Sequence, residues 1–234
     1  FTPDPAFTFH RSQLFYDSMP LYDYVITTKS YEIFDFVRTM GSKEKVLYAT
    51  QGFDKSLHRP QVEWEQKKGV AFIGHFEKER VEPIEALLNA GVDVTLAGIN
   101  WEGFAKSHGS PQLHYLGNGV YGEDYVRAIS KCLFAWGSVS KWIPEKHTTR
   151  TFEIPAIKTA LLTEHNDELA GFFTNDEVIY YEDTPDMLNK VLYYNQHKEE
   201  LREIVERGYA KVQSGGFDYE SIIRNLLNKV LKNG

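Results

Sequence analysis

Within EKHTTRTFE, residues 145–153, Glu145 and Glu153 stand at the two ends of a stretch whose middle carries Thr148, Thr149, Arg150 and Thr151. Two carboxylates beside hydroxyls and a guanidinium could work as an acid and base, or could accept hydrogen bonds from the hydroxyls of a polyol ligand. Spacing does not choose between these, because Glu77 and Glu85 have the same separation in a stretch that reads as an ordinary amphipathic helix. A second stretch, IGHFEKER (73–80), offers Gly74, where backbone can approach a ligand closely, followed by His75 and the cations Lys78 and Arg80. These cations fall at the start of a helix, where positive charge opposes the macrodipole unless an anion is bound. Pairing with Glu77, Glu79 or Glu82 explains them equally well. Glu153 falls near the opposite case: an acid at a helix N-terminus is stabilised whether or not it binds anything.

Other chemistries find less support. Gly117, Gly119 and Gly122 match G-x-G-x-x-G between a strand and a helix. The preceding QLHYL, however, carries Gln and His where a central parallel strand should be apolar, so the motif reads as a glycine-rich turn. Neither a G-x-S-x-G elbow nor a Walker loop occurs. The eight histidines are scattered, none three or four residues from another, and no metal site is expected.

The elements that must position these residues alternate along the chain. YDYVITT (22–28), KVLYAT (45–50), VAFIG (70–74), VDVTLAG (92–98), QLHYL (112–116), CLFAWGS (132–138), TALLT (159–163) and EVIYYE (177–182) read as strands. Helices are expected over 30–40, from about Glu79 to Asn89 and from about Glu123 to Lys131. In 145–163 the threonines offer N-caps and Pro155 falls within the first turn. QGFDKSLHRPQVEWEQKKG (51–69) has glycine, proline and charge but no period, and reads as a linker. From Thr184 to Lys232 the pattern is helical, opening on DTP. Short strands separated by helices predict parallel βαβ units, that is, an α/β, doubly wound parallel sheet preceded by a short βαβ fragment and followed by a helical C-terminus. Ligands of such sheets sit at the carboxyl ends of the strands, which is where the 74–80 and 137–150 loops fall.

Composition bounds the partners. The 234 residues are 42% hydrophobic and carry a net charge of −7 with scattered Lys and Arg, which argues against nucleic acid or an anionic membrane as partner. No apolar run is long enough to span a bilayer. Residues 1–10 lack the pattern of a signal peptide, and the single Cys132 excludes an intramolecular disulfide; both suit a cytoplasmic location.

The segment RTFEIPAIKTALLTEHNDELAGFF, followed by EVIYYED, a D-x-P-x-x-L helix and FDYESIIRNLL, resembles the C-terminal domain of the retaining GT-B glycosyltransferases, in the branch similar to the spore maturation protein CgeB. YDYVITTKSYEIFDF and VLYATQGFDKSLHRP resemble the end of that family's N-terminal domain and its interdomain crossing. The resemblance implies residues 1–60 as a remnant of an acceptor-side Rossmann-like domain, 61–216 as a nucleotide-sugar-binding domain and 217–234 as a C-terminal helix. It implies transfer of a sugar, with retention, from a nucleotide-diphosphate sugar to a glycan, protein or small-molecule acceptor, with no metal or other cofactor. Glu153 would accept from the ribose hydroxyls, Glu145 would lie near the donor sugar, and Arg80 or Lys78 would neutralise the diphosphate. Gly74, His75, Thr149 and Arg150 complete the implied donor site. Two departures stand out: Lys158 occupies a position that is glycine in many members, and only about 60 residues precede the donor domain, too few for a full N-terminal Rossmann half. A non-catalytic nucleotide-binding module would keep Glu153 and Arg80 without turnover. A glycoside hydrolase using the two acids would act without a nucleotide.

Overall fold

The computed structural model describes residues 12–233. A small unit comes first, made of α1 (Gln13–Ser18), β1 (Val25–Thr27), α2 (Ile33–Met40) and β2 (Val46–Tyr48). Strands β1 and β2 pair in parallel, with Val25 opposite Val46, and α2 lays Phe36 and Met40 on Val25 and Val46. The larger unit contains β3 (Val70–Ile73), α3 (Val81–Asn89), β4 (Val94–Ala97), α4 (Glu102–His108), β5 (Leu113–Tyr115), α5 (Gly122–Ser130) and β6 (Phe134–Trp136). It continues through α6 (Arg150–Ala156), β7 (Ala160–Glu164), α7 (Asp167–Phe172), β8 (Ile179–Tyr181), α8 (Thr184–Gln196), α9 (Lys198–Ser214) and α10 (Tyr219–Asn233).

Its six strands are all parallel in the order β5-β4-β3-β6-β7-β8. That is the doubly wound order, reversing between β3 and β6. The reason lies in β3, whose residues are all buried: Val70 and Phe72 face one core with Ile84, Leu96 and Met187, while Ala71 and Ile73 face another with Ile129, Phe152 and Leu169. A strand apolar on both faces needs helices on both, and each large side chain such as Phe72 or Ile73 removed from water contributes about 1.5–3 kcal/mol. QLHYL is the edge strand β5, where half-exposed His114 is tolerated, so its polarity reflects position rather than a failed strand. Gly98, at the end of β4 with φ 146°, lies so close to the Gly74 carbonyl that a Cβ would sit 1.8 Å from that oxygen.

Several expectations need correction. Residues 51–69 are not a free linker: Phe53 is fully buried, exchanges backbone bonds with Phe217 and Tyr219, and Lys67 is buried as well. Aromatic and aliphatic anchors within a polar stretch, rather than a period, hold it down. Helices α4 and α7 follow β4 and β7 where only loops were expected; both are short, with too few residues for a period to show. The α3 helix begins at Val81, and Lys78–Arg80 form a 3-10 turn before it. The residues before 12 lie outside the described residues. Helix α10 returns to the small unit and packs Ile222 and Leu226 on Ala49, Ile26 and Leu47.

Candidate functional site

The loops after β3 and β6 meet at the point where the strand order reverses, and α6 rises from the second. No threonine hydroxyl caps α6. Instead Thr151 Oγ1 accepts from the Thr148 amide at 3.2 Å, and the buried Thr148 Oγ1 has no hydrogen-bond partner among the described residues. Pro155 lies inside the helix, near its end, not in the first turn. Its missing N–H removes the helical bond to the Thr151 carbonyl, and α6 stays short, ending one residue later and closed by bonds from Ile157 to Glu153 and from Thr159 to Ile154. Lys158 adopts φ 56°, the left-handed turn that glycine takes easily. The lysine holds it while pairing with Glu206 at 2.7 Å and lying 4.6 Å from the Tyr209 ring centroid.

Glu153 occupies the first turn of α6. Its Oε2 accepts from the Tyr125 hydroxyl at 2.7 Å and its Oε1 faces His58 Nε2 at 3.6 Å. Burial and the Glu153 carboxylate raise the Tyr125 hydroxyl well above its ordinary value, so it stays a donor. Arg150 donates from Nε to the Ile73 carbonyl at 2.7 Å, fixing the guanidinium at the end of β3; one terminal nitrogen lies 3.5 Å from the place a Cβ on Gly74 would take.

Arg80 is buried over the Phe72 ring. It donates to the His75 carbonyl at 2.7 Å and to Glu77 at 2.9 Å, leaving its Nε without a partner among the described residues. Burial lowers its basicity, as does the nearby Arg150, while Glu77 and Glu145 oppose them. Glu77 also accepts the Lys141 amide at 3.0 Å and so joins the two loops. His75 and Lys78 are exposed. Beside Arg80, a cavity of about 270 Å³ at the carboxyl ends of β6–β8 is lined by Ser138, Lys141, Glu164, Tyr181 and Asp183 among others.

Glu145 pairs with Lys29 of the small unit at 2.5 Å, with both side chains largely out of water. A parallel contact lies nearby: Glu168 in α7 accepts from Ser30, from Tyr48 at 3.4 Å and from His147 Nδ1 at 2.5 Å, while His147 Nε2 accepts the Gln51 amide at 3.2 Å. Thr149 borders an apolar cavity of about 380 Å³ with Thr28, Gln51, Tyr219, Ile222 and Leu226. The structure thus sets Arg80 close enough to Arg150 and Glu145 to feel their charges and Arg150 against Gly74, and it holds Glu153 beside Tyr125. His58, Tyr125 and Lys29 had no local signal, since each acts through a contact distant in sequence; Glu77 was legible as a partner of the 78–80 cations, but not its bond to a backbone amide 64 residues away.

A model of the family described as glycosyl transferase-like matches residues 63–228. The chain belongs to this glycosyl transferase-like family. Comparison of this transferase-like chain with curated protein sequences gives no match. Among solved structures it is similar to Anabaena HepE in complex with UDP and glucose, with TM-score 0.74 and 13% identity over 98% of this chain and 70% of HepE. It is similar also to an alpha-glucosyltransferase in complex with UDP and DNA, with TM-score 0.73 and 10% identity over 98% of this chain and 71% of that one. Sucrose-phosphate synthase from Thermosynechococcus elongatus follows, with TM-score 0.65 and 14% identity over 93% of this chain and 61% of that one. At these identities the likeness is one of fold: a Rossmann-like α/β arrangement shared with GT-B glycosyltransferases. The chain spans about two thirds of these structures. No helix among the described residues is long and apolar enough to cross a membrane.

Proposed function

We propose that this chain binds a nucleotide-diphosphate sugar and serves a glycosyltransferase that passes the sugar to an acceptor, with retention, as in the CgeB-like branch it resembles. The observation that carries the reading is Glu153: a carboxylate at the switch point of a doubly wound sheet, oriented by Tyr125, with lone pairs left for vicinal hydroxyls. The structural neighbours solved with UDP favour a uridine donor. In this reading Glu153 takes the ribose hydroxyls and Arg150 orders the loop. Arg80, which keeps its Nε–H and one proton on each terminal nitrogen, meets the diphosphate together with Lys78, while Gly74, His75 and Thr149 border it. Fixed positive charge where the leaving diphosphate gains its own lowers the barrier, and losing one such donor costs about 3 kcal/mol in the transition state. No metal is invoked. Glu145, held by Lys29, lies on the side of the small unit, where we place the sugar and the acceptor, a glycan, protein or small molecule. Residues 61–216 form the donor unit in this reading, 12–60 belong to the acceptor side, and the protein works in the cytoplasm. The second reading is nucleotide binding without turnover, in which Glu153 and Arg80 hold the nucleotide and no acceptor receives a sugar.

The test is a thermal-shift panel of UDP, GDP, ADP, CMP and dTDP with their sugar conjugates, on the wild type and Glu153→Ala. A ligand at a hundred times its dissociation constant adds about 2.7 kcal/mol, which at this size raises Tm by about 5–10 °C. A shift with UDP that disappears in Glu153→Ala is the expected result; no shift with any nucleotide rejects the reading. Turnover of UDP-sugar with added acceptors then separates the transferase from the binding module.

A further inference from the structure

His58 lies in the segment 51–69 that crosses between the small unit and the sheet, and its ring is almost fully buried. The Asp54 amide donates to His58 Nδ1 at 2.9 Å. An amide N–H can only donate, so Nδ1 is an acceptor and the proton of the neutral ring sits on Nε2. That N–H makes no hydrogen bond among the described residues. It faces Glu153 Oε1 across 3.6 Å, beyond ordinary hydrogen-bond length, while the ring meets Tyr125 edge-on at 6.1 Å between centroids. Tyr125 in turn holds the other Glu153 oxygen.

A donor and an acceptor set side by side, both oriented and neither bonded to the other, match one ligand group: a hydroxyl, which donates and accepts at once. A carboxylate by itself can only accept from that hydroxyl and leaves its oxygen lone pairs unused. We propose that His58 is a ligand-binding residue, donating from Nε2 to a ribose hydroxyl whose own proton goes to Glu153. This inference rests on the donor reading above and deepens it. It assigns the interdomain crossing a part in nucleotide recognition, and it makes Tyr125 a positioning residue that keeps the carboxylate turned toward the same hydroxyl.

The experiment measures affinities of UDP and 2′,3′-dideoxy-UDP by calorimetry for the wild type, His58→Asn and His58→Gln. Asparagine places an acceptor where Nδ1 was and nothing where Nε2 was; glutamine reaches with an N–H to the Nε2 position. Expected for His58→Asn is a loss of about three- to tenfold for UDP, the range of one net hydrogen bond, with dideoxy-UDP unchanged and His58→Gln close to wild type. A His58→Asn protein that weakens both nucleotides equally, or neither, overturns the role of His58 while leaving the donor reading standing. Wild type that binds neither nucleotide removes both. A measurement without substitution guards against a variant that does not fold: in 15N-labelled wild type the His58 Nε2–H resonance should move with UDP and stay with dideoxy-UDP, and a resonance unmoved by bound UDP overturns the inference.

Discussion

Lys67 is a cation taken out of water with no carboxylate beside it among the described residues. Its Nζ donates to the Ser130 carbonyl at 2.5 Å and to Thr159 Oγ1 at 3.2 Å, and burial pushes its pKa down to about 8. Below that value the folded state must hold a desolvated charge that the unfolded chain, at about 10.5, holds in water. The unfolded state therefore binds more protons between the two values, and stability rises with pH across that window. Relative to Lys67→Met, the unfolding free energy of the wild type should climb between pH 8 and 9.5 by up to about 1.4 kcal/mol per pH unit; parallel profiles from denaturant titrations would contradict the account. Glu77 is the opposite case, a buried acid that satisfies a buried cation. Glu77→Gln leaves Arg80 without its counter-charge and is expected to cost about 3 kcal/mol, read as a drop in Tm and a lower urea midpoint.

Helix α7 shows how one cap serves a distant contact. Asn166 accepts from the amides of Glu168 and Leu169, opening the helix and setting the backbone of Glu168. Asn166→Ala should cost about 1 kcal/mol. Because Glu168 holds Ser30 and Tyr48, the same variant should also speed hydrogen exchange in β1 and β2 ahead of the six-stranded sheet; uniform acceleration would show that α7 does not carry that contact. The Lys158 turn is a further matter of the element. Left-handed backbone costs an L-residue about 1–2 kcal/mol, which the partly exposed Glu206 pair offsets only in part. Lys158→Gly is therefore expected within about 1 kcal/mol of wild type, and Lys158→Val well below it. Near-equal melting temperatures for the two variants would refute this. The resemblance marked Lys158 as a departure from glycine and so a turn built differently, yet the lysine takes the left-handed turn itself, held by Glu206 and Tyr209 partners that come from α9.

At the scale of the molecule, contacts among the described residues that join the small unit to the sheet include the Lys29–Glu145 ion pair, hydrogen bonds from Ser30 and Tyr48 to Glu168, and α10 packed across β1 and β2. Burial acts to raise the Glu168 carboxyl, but bonds from His147 and Ser30 outweigh it and hold the group below its ordinary value near 4.5. A lowered acid contributes stability that is present above its unfolded value and lost as pH falls through its folded one. Acid should therefore weaken the join, and the loss below pH 4.5 should be smaller in Glu168→Gln, followed by limited proteolysis of the 51–69 crossing. Equal acid sensitivity in both proteins would remove Glu168 from this role.

The alternation of short apolar strands with helices fixed the α/β class from sequence alone, because helix and strand periods are local properties of side-chain direction. The placement of Gly74 and Arg80 after β3, and of Glu153 near the start of the helix that follows the β6 loop, followed from that alternation. What EKHTTRTFE could not disclose was the company its acids keep. Glu145 meets a lysine 116 residues away and Glu153 a tyrosine 28 residues away. Such pairings depend on the order in which strands take their places in the sheet and on a crossing segment without any period, and only the folded chain brings those residues together.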